Sequence, residues 1–169
     1  MPIWVTWMLG VVLVAGESAS LAAFGLTGLC AQMGLVLGVL LGLRRDFIPG
    51  ALTLAALLPV VEWFAAGPAG VYGIGLGVVF LLMQLARTRL RHDWGLMHFA
   101  AGALAAVVHP LILAGAFGFL WADGALARAV VWTVPTSVVG MVVCLWPAQW
   151  LLEKGDAAFE GAARRTMFS

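Results

Sequence analysis

The chain has 169 residues, 63% of them hydrophobic and only 10% charged, with a net charge of +1 and a mean hydropathy of +1.05. A soluble domain of this size needs far more charge to cover its surface, so the composition is that of a membrane protein. Without a polybasic run, the chain lacks the electrostatic footprint of nucleic-acid binding or of capture by an anionic lipid surface.

A helix of roughly 20 mostly apolar residues crosses the ~30 Å hydrocarbon core of a bilayer, and the chain offers a series of stretches near that length. The first covers residues 3–16, short but extendable past Glu17. A signal peptide requires Lys or Arg before its apolar stretch and none precedes this one, so it reads as a retained helix. The second, 21–43, closes on Arg44-Arg45-Asp46. The third, 49–66, opens with Pro49, whose missing N–H does no harm at a helix start. The fourth, 70–86, ends at Arg87, Arg89 and Arg91. The fifth, 94–120, is interrupted at Pro110, and the sixth, 127–152, carries Pro135 in its first turns and Pro147 near its exit. The expectation is an all-α integral membrane protein: a six-transmembrane-helix bundle over 1–152, kinked at Pro110 and near Pro135, then a short cytoplasmic tail at 153–169. Their glycines should make the second and fourth helices the most buried.

Lys and Arg collect in loops on the cytoplasmic side of a membrane. With six spans, Arg44, Arg45, Arg87, Arg89, Arg91, Lys154, Arg164 and Arg165 share one side, which is eight of the nine basic residues. Arg128 lies opposite, with Glu17 and Asp123. Both ends of the chain are therefore expected in the cytoplasm (N-in/C-in). A first helix that fails to cross would leave five spans and an outer N-terminus. Trp4, Trp63, Trp94, Trp121 and Trp150 fall near the span ends, where an amphipathic indole settles among headgroups. Cys30 and Cys144 lie in apolar stretches and read as small core hydrophobes.

Few residues are equipped for chemistry. Gly34, Gly38 and Gly42 recur at intervals of four, a groove that serves either packing inside the bundle or docking of a partner helix. Gly73, Gly75 and Gly77 resemble a nucleotide-binding run superficially, but no strand precedes them. Glu62 stands four residues before the loop Ala66-Gly67-Pro68-Ala69-Gly70. It has three readings: a carboxylate reaching the outer interface beside Trp63, a hydrogen bond to loop backbone, or a proton or substrate site. His98 and His109 are eleven residues apart and share a helix face. About 16 Å separates them along the axis, too far to ligate one metal. His109, just before Pro110, is placed to satisfy backbone groups that the proline frees. Gln32, Gln84 and Gln149 are isolated polar residues, too sparse to line a sugar or ion path. No Ser–His pair, HExxH, Walker loop or carboxylate pair within one span occurs. Neither catalysis nor a cofactor or metal is expected.

The run Leu58-Pro59-Val60-Val61-Glu62-Trp63-Phe64-Ala65-Ala66-Gly67-Pro68-Ala69-Gly70-Val71-Tyr72-Gly73 precedes an apolar helix that closes on Arg87-Thr88-Arg89-Leu90-Arg91. This stretch resembles the rod shape-determining MreD family. There an acid ends one helix, a turn rich in Ser, Gly and Pro follows, and a Gly eight residues after the acid opens the next. Glu62 and Gly70 keep that spacing of eight. Trp94, Leu145-Trp146-Pro147 and Leu151-Leu152 also resemble the family pattern. The chain departs from it in three places. The acid is Glu rather than Asp, Leu58 stands where a Gly is common, and the sixth helix lacks a polar residue before its Trp-Pro.

The resemblance implies a non-enzymatic scaffold in the bacterial inner membrane, part of the elongation machinery that maintains rod cell shape through lateral peptidoglycan synthesis. It would bind an MreC-like protein and link it to a RodA-like polymerase, its class B penicillin-binding protein and MreB filaments. Gly67, Pro68 and Gly70 would then shape the outer turn beside Glu62. Gly34, Gly38 and Gly42 are the candidate contact within the membrane, and Arg87, Arg89 and Arg91 the candidate cytoplasmic contact.

Two other classes compete. The substrate-binding components of energy-coupling-factor vitamin transporters share the six-helix plan and small-residue faces. They need a polar, aromatic outer pocket, for which Glu17, Ser18, Ser20, Glu62, Trp121, Asp123 and Arg128 are thin material. An intramembrane enzyme or ion carrier would have to join Glu62 to His109, the one acid–histidine pair expected at similar depth.

Overall fold

The computed structural model describes residues 2–23, 32–64, 70–89, 95–120 and 124–167. These form seven α-helices: α1 (Ile3–Ala23), α2 (Gln32–Arg44), α3 (Phe47–Phe64), α4 (Val71–Arg87), α5 (Gly95–Leu120), α6 (Gly124–Trp132) and α7 (Val134–Met167). No strand occurs among the described residues. Among the described residues, three stretches, Phe47–Phe64, His98–Phe119 and Val134–Ala158, are long and apolar enough to cross a membrane.

The first hairpin divides differently from the expectation. Residues 21–23, expected to open the second helix, instead close α1, and α2 is described from Gln32. Glu17 and Ser18 do not stop α1 because both polar groups are satisfied within the helix pair. The Ser18 hydroxyl donates to the Val14 carbonyl at 3.0 Å, a back-bond that a helix tolerates. The Glu17 carboxylate accepts the Met33 N–H at 2.9 Å.

Prolines act unequally. α5 runs through Pro110 as one helix of 26 residues, without a break. The expected bend near Pro135 appears as a division between α6 and α7 at Thr133. Proline has no N–H to donate and its ring collides with the carbonyl four residues back. Here the chain closes a tighter turn just before it, with the Thr133 N–H and hydroxyl both donating to Val130 O, at 3.0 Å and 2.7 Å. α7 then continues past Leu152 to Met167, so residues expected as a separate tail extend the same helix. Its 34 residues span about 51 Å at 1.5 Å per residue.

α2 is the centre of the bundle. Every residue from 34 to 43 is buried, and the helix touches α1, α3, α4, α5 and α7. α4 is its most extensive partner, with Leu76, Val79, Phe80 and Met83 turned inward. α1 lies along α3, the Trp7 indole N–H donating to Ala56 O at 2.9 Å. A smaller cluster of Val71, Tyr72, Leu113, Phe117 and Val130 joins α4, α5 and α6.

The bundle has two chemically distinct ends. One, the basic end, gathers the first turn of α1, the α2–α3 turn, the last turn of α4 and the middle of α7. The other, the glutamate end, holds Glu17 and Glu62 at the starts of α2 and α4.

Candidate functional site

At the glutamate end, Glu62 and Gly70 belong to one device. Gly70 is the N-cap of α4, with φ +90° and ψ −18°, a left-handed conformation that glycine adopts without a Cβ penalty. Glycine has no side chain to cap the helix it starts, and no side-chain cap is made there. The missing acceptor comes from α3: the Gly73 N–H donates to Glu62 Oε1 at 2.6 Å. A carboxylate is favoured there by the free N–H groups and the positive end of the helix dipole. Gly73 admits it closely, since a Cβ at that position would lie 3.3 Å from Oε1 and 3.6 Å from the Leu58 methyls. Leu58 thus packs where Gly73 leaves room.

The structure gives Glu62 a backbone hydrogen bond, made to the first turn of the next helix and not to the loop residues expected from the sequence. Glu17 likewise accepts a backbone N–H from the following helix, that of Met33 in the described part of α2, a contact that sequence reasoning missed. The available signal was an acid near the end of the helix before each glycine-bearing helix. Gly67 and Pro68 lie outside the described residues.

His109 does not join Glu62. It is buried on α5 against α4, its ring tilted over Tyr72 at 6.1 Å between centroids. A Cβ on Gly75 would lie 2.9 Å from its Cδ2 and 3.0 Å from its Nε2, and that Nε2 has no hydrogen-bond partner among the described residues. Glu62 meets α4 at Gly73 and His109 meets it at Gly75. Two residues of helix turn the direction by about 200°, so α4 itself stands between the acid and the histidine. No three His, Cys, Asp or Glu side chains converge on a metal-sized site among the described residues.

The glycine face of α2 is filled from within. A Cβ at Gly34 would meet Val61 at 3.2 Å, at Gly38 Leu76 at 3.7 Å, and at Gly42 Met83 Cβ at 2.6 Å and Phe80 O at 3.1 Å. Between packing and partner docking, the structure takes packing against α3 and α4.

At the basic end, charges pair across distant helices. Arg44 pairs with Glu153, and Arg45 with Asp156 at 2.9 Å. Glu153 and Asp156, three apart on α7, share the face turned to α2. Arg87 pairs with Asp46 at 3.1 Å and donates through Nη1 to Arg45 O at 2.5 Å. Gln84 Nε2 donates to the same carbonyl at 2.9 Å. Arg87 is therefore a staple within the chain, whereas Arg89 is exposed and Arg91 lies outside the described residues. Gln149 reaches Glu153 at 3.1 Å, and the Lys154 amine stands 5.9 Å over the Trp150 ring. Trp4, Trp63 and Trp150 are exposed, the side chains of Trp94 and Trp121 lie outside the described residues, and Cys144 is a free, half-buried thiol. No family model, curated protein or solved structure matches the chain.

Proposed function

We propose that this chain is a non-enzymatic membrane scaffold of the MreD type, crossing the bacterial inner membrane six times with both ends in the cytoplasm. The observation that carries the reading is the Glu62–Gly70–Gly73 device. The acid and the glycine eight residues later are the parts of the sequence that most resemble the family, and here they form one helix-starting unit. Such a unit fixes the angle between two helices and presents no reactive group. The acid is engaged by backbone, and α4 separates it from the buried histidine.

Three further observations support membrane insertion and its direction. Trp63, Phe119, Trp132 and Trp146 are between 67% and 92% exposed, a surface suited to lipid or to another helix. The start of α1 and the middle of α7 both reach the basic end, which supports a reading with both termini on one side. The basic residues there, by the positive-inside tendency, make that side cytoplasmic.

Because α3 and α4 fill the α2 glycine face, an MreC-like partner docks on the exposed apolar faces, and Arg89, exposed at the basic end, is available for a cytoplasmic contact. The test is affinity purification of the tagged chain from mildly solubilised membranes, with partners identified by mass spectrometry. Recovery of MreC-like and RodA-like proteins is the expected result. Recovery of a coupling subunit with paired ATPases overturns the reading in favour of vitamin uptake.

A further inference from the structure

A cavity of about 160 Å³ opens between α1 and α3 at the basic end, walled by Pro2, Ile3, Thr6, Arg45, Pro49 and Thr53. One water needs only ~10–15 Å³ on this measure, so the space is roughly ten times a one-water gap. Two of its walls repeat a pattern. Each helix sets a proline and, four residues on, a threonine whose hydroxyl donates to that proline's carbonyl. Thr6 reaches Pro2 O at 3.3 Å, and Thr53 reaches Pro49 O at 2.7 Å. Both threonines are 2% exposed, so each turns only a small edge toward the cavity. A hydroxyl hydrogen can swing to a new acceptor, so both walls can donate inward.

Arg45 supplies the charge. Its backbone is held in place because Gln84 and Arg87 both donate to its carbonyl. Its side chain is 27% exposed and bonds through Nη2 to Asp156. A guanidinium carries five N–H donors in a planar fork, and one bond to one carboxylate oxygen leaves donors for a second oxyanion. That fork matches the geometry of a phosphate better than any other side chain.

We infer that this cavity binds a phosphate group, with Arg45 as the charged donor and Thr6 and Thr53 as neutral ones. If the bundle lies in a membrane as proposed above, the basic end is level with the headgroups and a phospholipid is the natural source. Ile3 in the cavity wall, and Ile48 and Leu52 next in the chain to its walls Pro49 and Thr53, are exposed and give acyl chains apolar ground. A single guanidinium in a walled cavity differs from a polybasic surface, which this chain lacks. The phosphate site itself does not depend on the scaffold reading.

The test is native mass spectrometry of the full chain in detergent, titrated separately with dioleoyl phosphatidylglycerol, dioleoylglycerol and inorganic phosphate. Dioleoylglycerol keeps the acyl chains and lacks the phosphate. The phosphatidylglycerol adduct should exceed the dioleoylglycerol adduct, and Arg45→Gln should weaken it roughly tenfold, as loss of a charge-assisted hydrogen bond does. Thr53→Leu, which fills the cavity with every charge intact, should weaken it to a similar degree. Asp156→Asn breaks the same ion pair as Arg45→Gln but frees the guanidinium, so binding should persist or tighten. Binding of inorganic phosphate with the same dependence on Arg45, without lipid binding, would support the site and assign it to a free anion. Equal binding of dioleoylglycerol, an unchanged adduct in Arg45→Gln, or equal loss in Asp156→Asn would each overturn the proposal. Circular dichroism of every variant separates lost binding from lost fold.

Discussion

α2 and α4 each carry three glycines, and the spacing decides what each helix does with them. On α2, Gly34, Gly38 and Gly42 recur every four residues and line one ridge, so the helix lays a single face against its neighbours in the core. On α4, Gly73, Gly75 and Gly77 recur every two residues, and successive positions point to opposite sides. Gly73 receives Glu62 and Leu58 from α3, Gly75 receives His109 and Leu113 from α5, and Gly77 meets nothing within 4 Å among the described residues. A period of four makes a seam; a period of two lets one helix admit two partners.

The sharpest break of that comparison lies within the α2 ridge. A methyl at Gly42 would stand 2.6 Å from Met83 Cβ and 3.1 Å from Phe80 O, atoms near or on the backbone that cannot swing aside. Gly42→Ala should therefore cost about 1–3 kcal/mol, as overpacking does, lowering the melting midpoint in detergent by about 2–4 °C per kcal/mol. Gly38→Ala, with its nearest atom at 3.7 Å, should be neutral or gain up to ~1 kcal/mol from the lost backbone entropy of glycine. Equal losses at both positions would mean that the ridge packs evenly and that Gly42 has no special role.

The second effect divides α4. At Gly75→Ala the new methyl meets the His109 ring at 2.9 Å and 3.0 Å, and that ring is itself buried. The expected cost is about 1–2 kcal/mol. Gly77→Ala, facing open space, should stabilise by up to ~1 kcal/mol through helix propensity. A neutral Gly75→Ala would show that His109 is loosely seated.

The bundle was legible where the cause is local. Apolar runs marked the helices, the glycine period of α2 marked a packed ridge, and Pro135 marked the division before α7. What escaped depended on pairing across the fold. The limits of α1 and α2 turn on Glu17, which looks like a helix-breaking charge until Met33 supplies its donor. The extension of α7 beyond Leu152 is held at Glu153 and Asp156 by arginines 109 and 111 residues earlier, and no local pattern announces such partners. His109 and Glu62 have similar expected depth, but only the helix between them shows that they belong to separate contacts.

The next effect compares the two capping acids. Glu62→Ala should cost about 1 kcal/mol, the usual value of a helix cap, and Gly70→Ala a similar amount because φ +90° disfavours any Cβ. Glu17→Ala should also destabilise, since its carboxylate accepts the Met33 N–H of α2. Hydrogen exchange at the starts of α2 and α4 checks this directly. Each substitution should speed exchange at its own helix, and loss confined to Glu62 would limit the device to the second hairpin.

The smallest effect comes where α2 and α4 both end in arginine. Arg44 reaches Glu153 on α7, and Arg87 reaches Asp46 in the α2–α3 turn. The acids are 52% and 84% exposed, and pairs open to water in this way contribute about 0–1 kcal/mol. Glu153→Gln should therefore lower the melting midpoint by only a degree or two, and the difference should vanish near ~1 M salt, where screening acts within ~3 Å. Arg87→Ala should cost more than Glu153→Gln and lose less of its effect in salt, because Arg87 also donates to the Arg45 carbonyl. If Glu153→Gln instead destabilises as much as Gly42→Ala at any salt concentration, then α7 is held to the bundle by charge. The apolar contacts of Met141, Leu145 and Leu152, all buried in the same core as α2, would then contribute less than their burial implies.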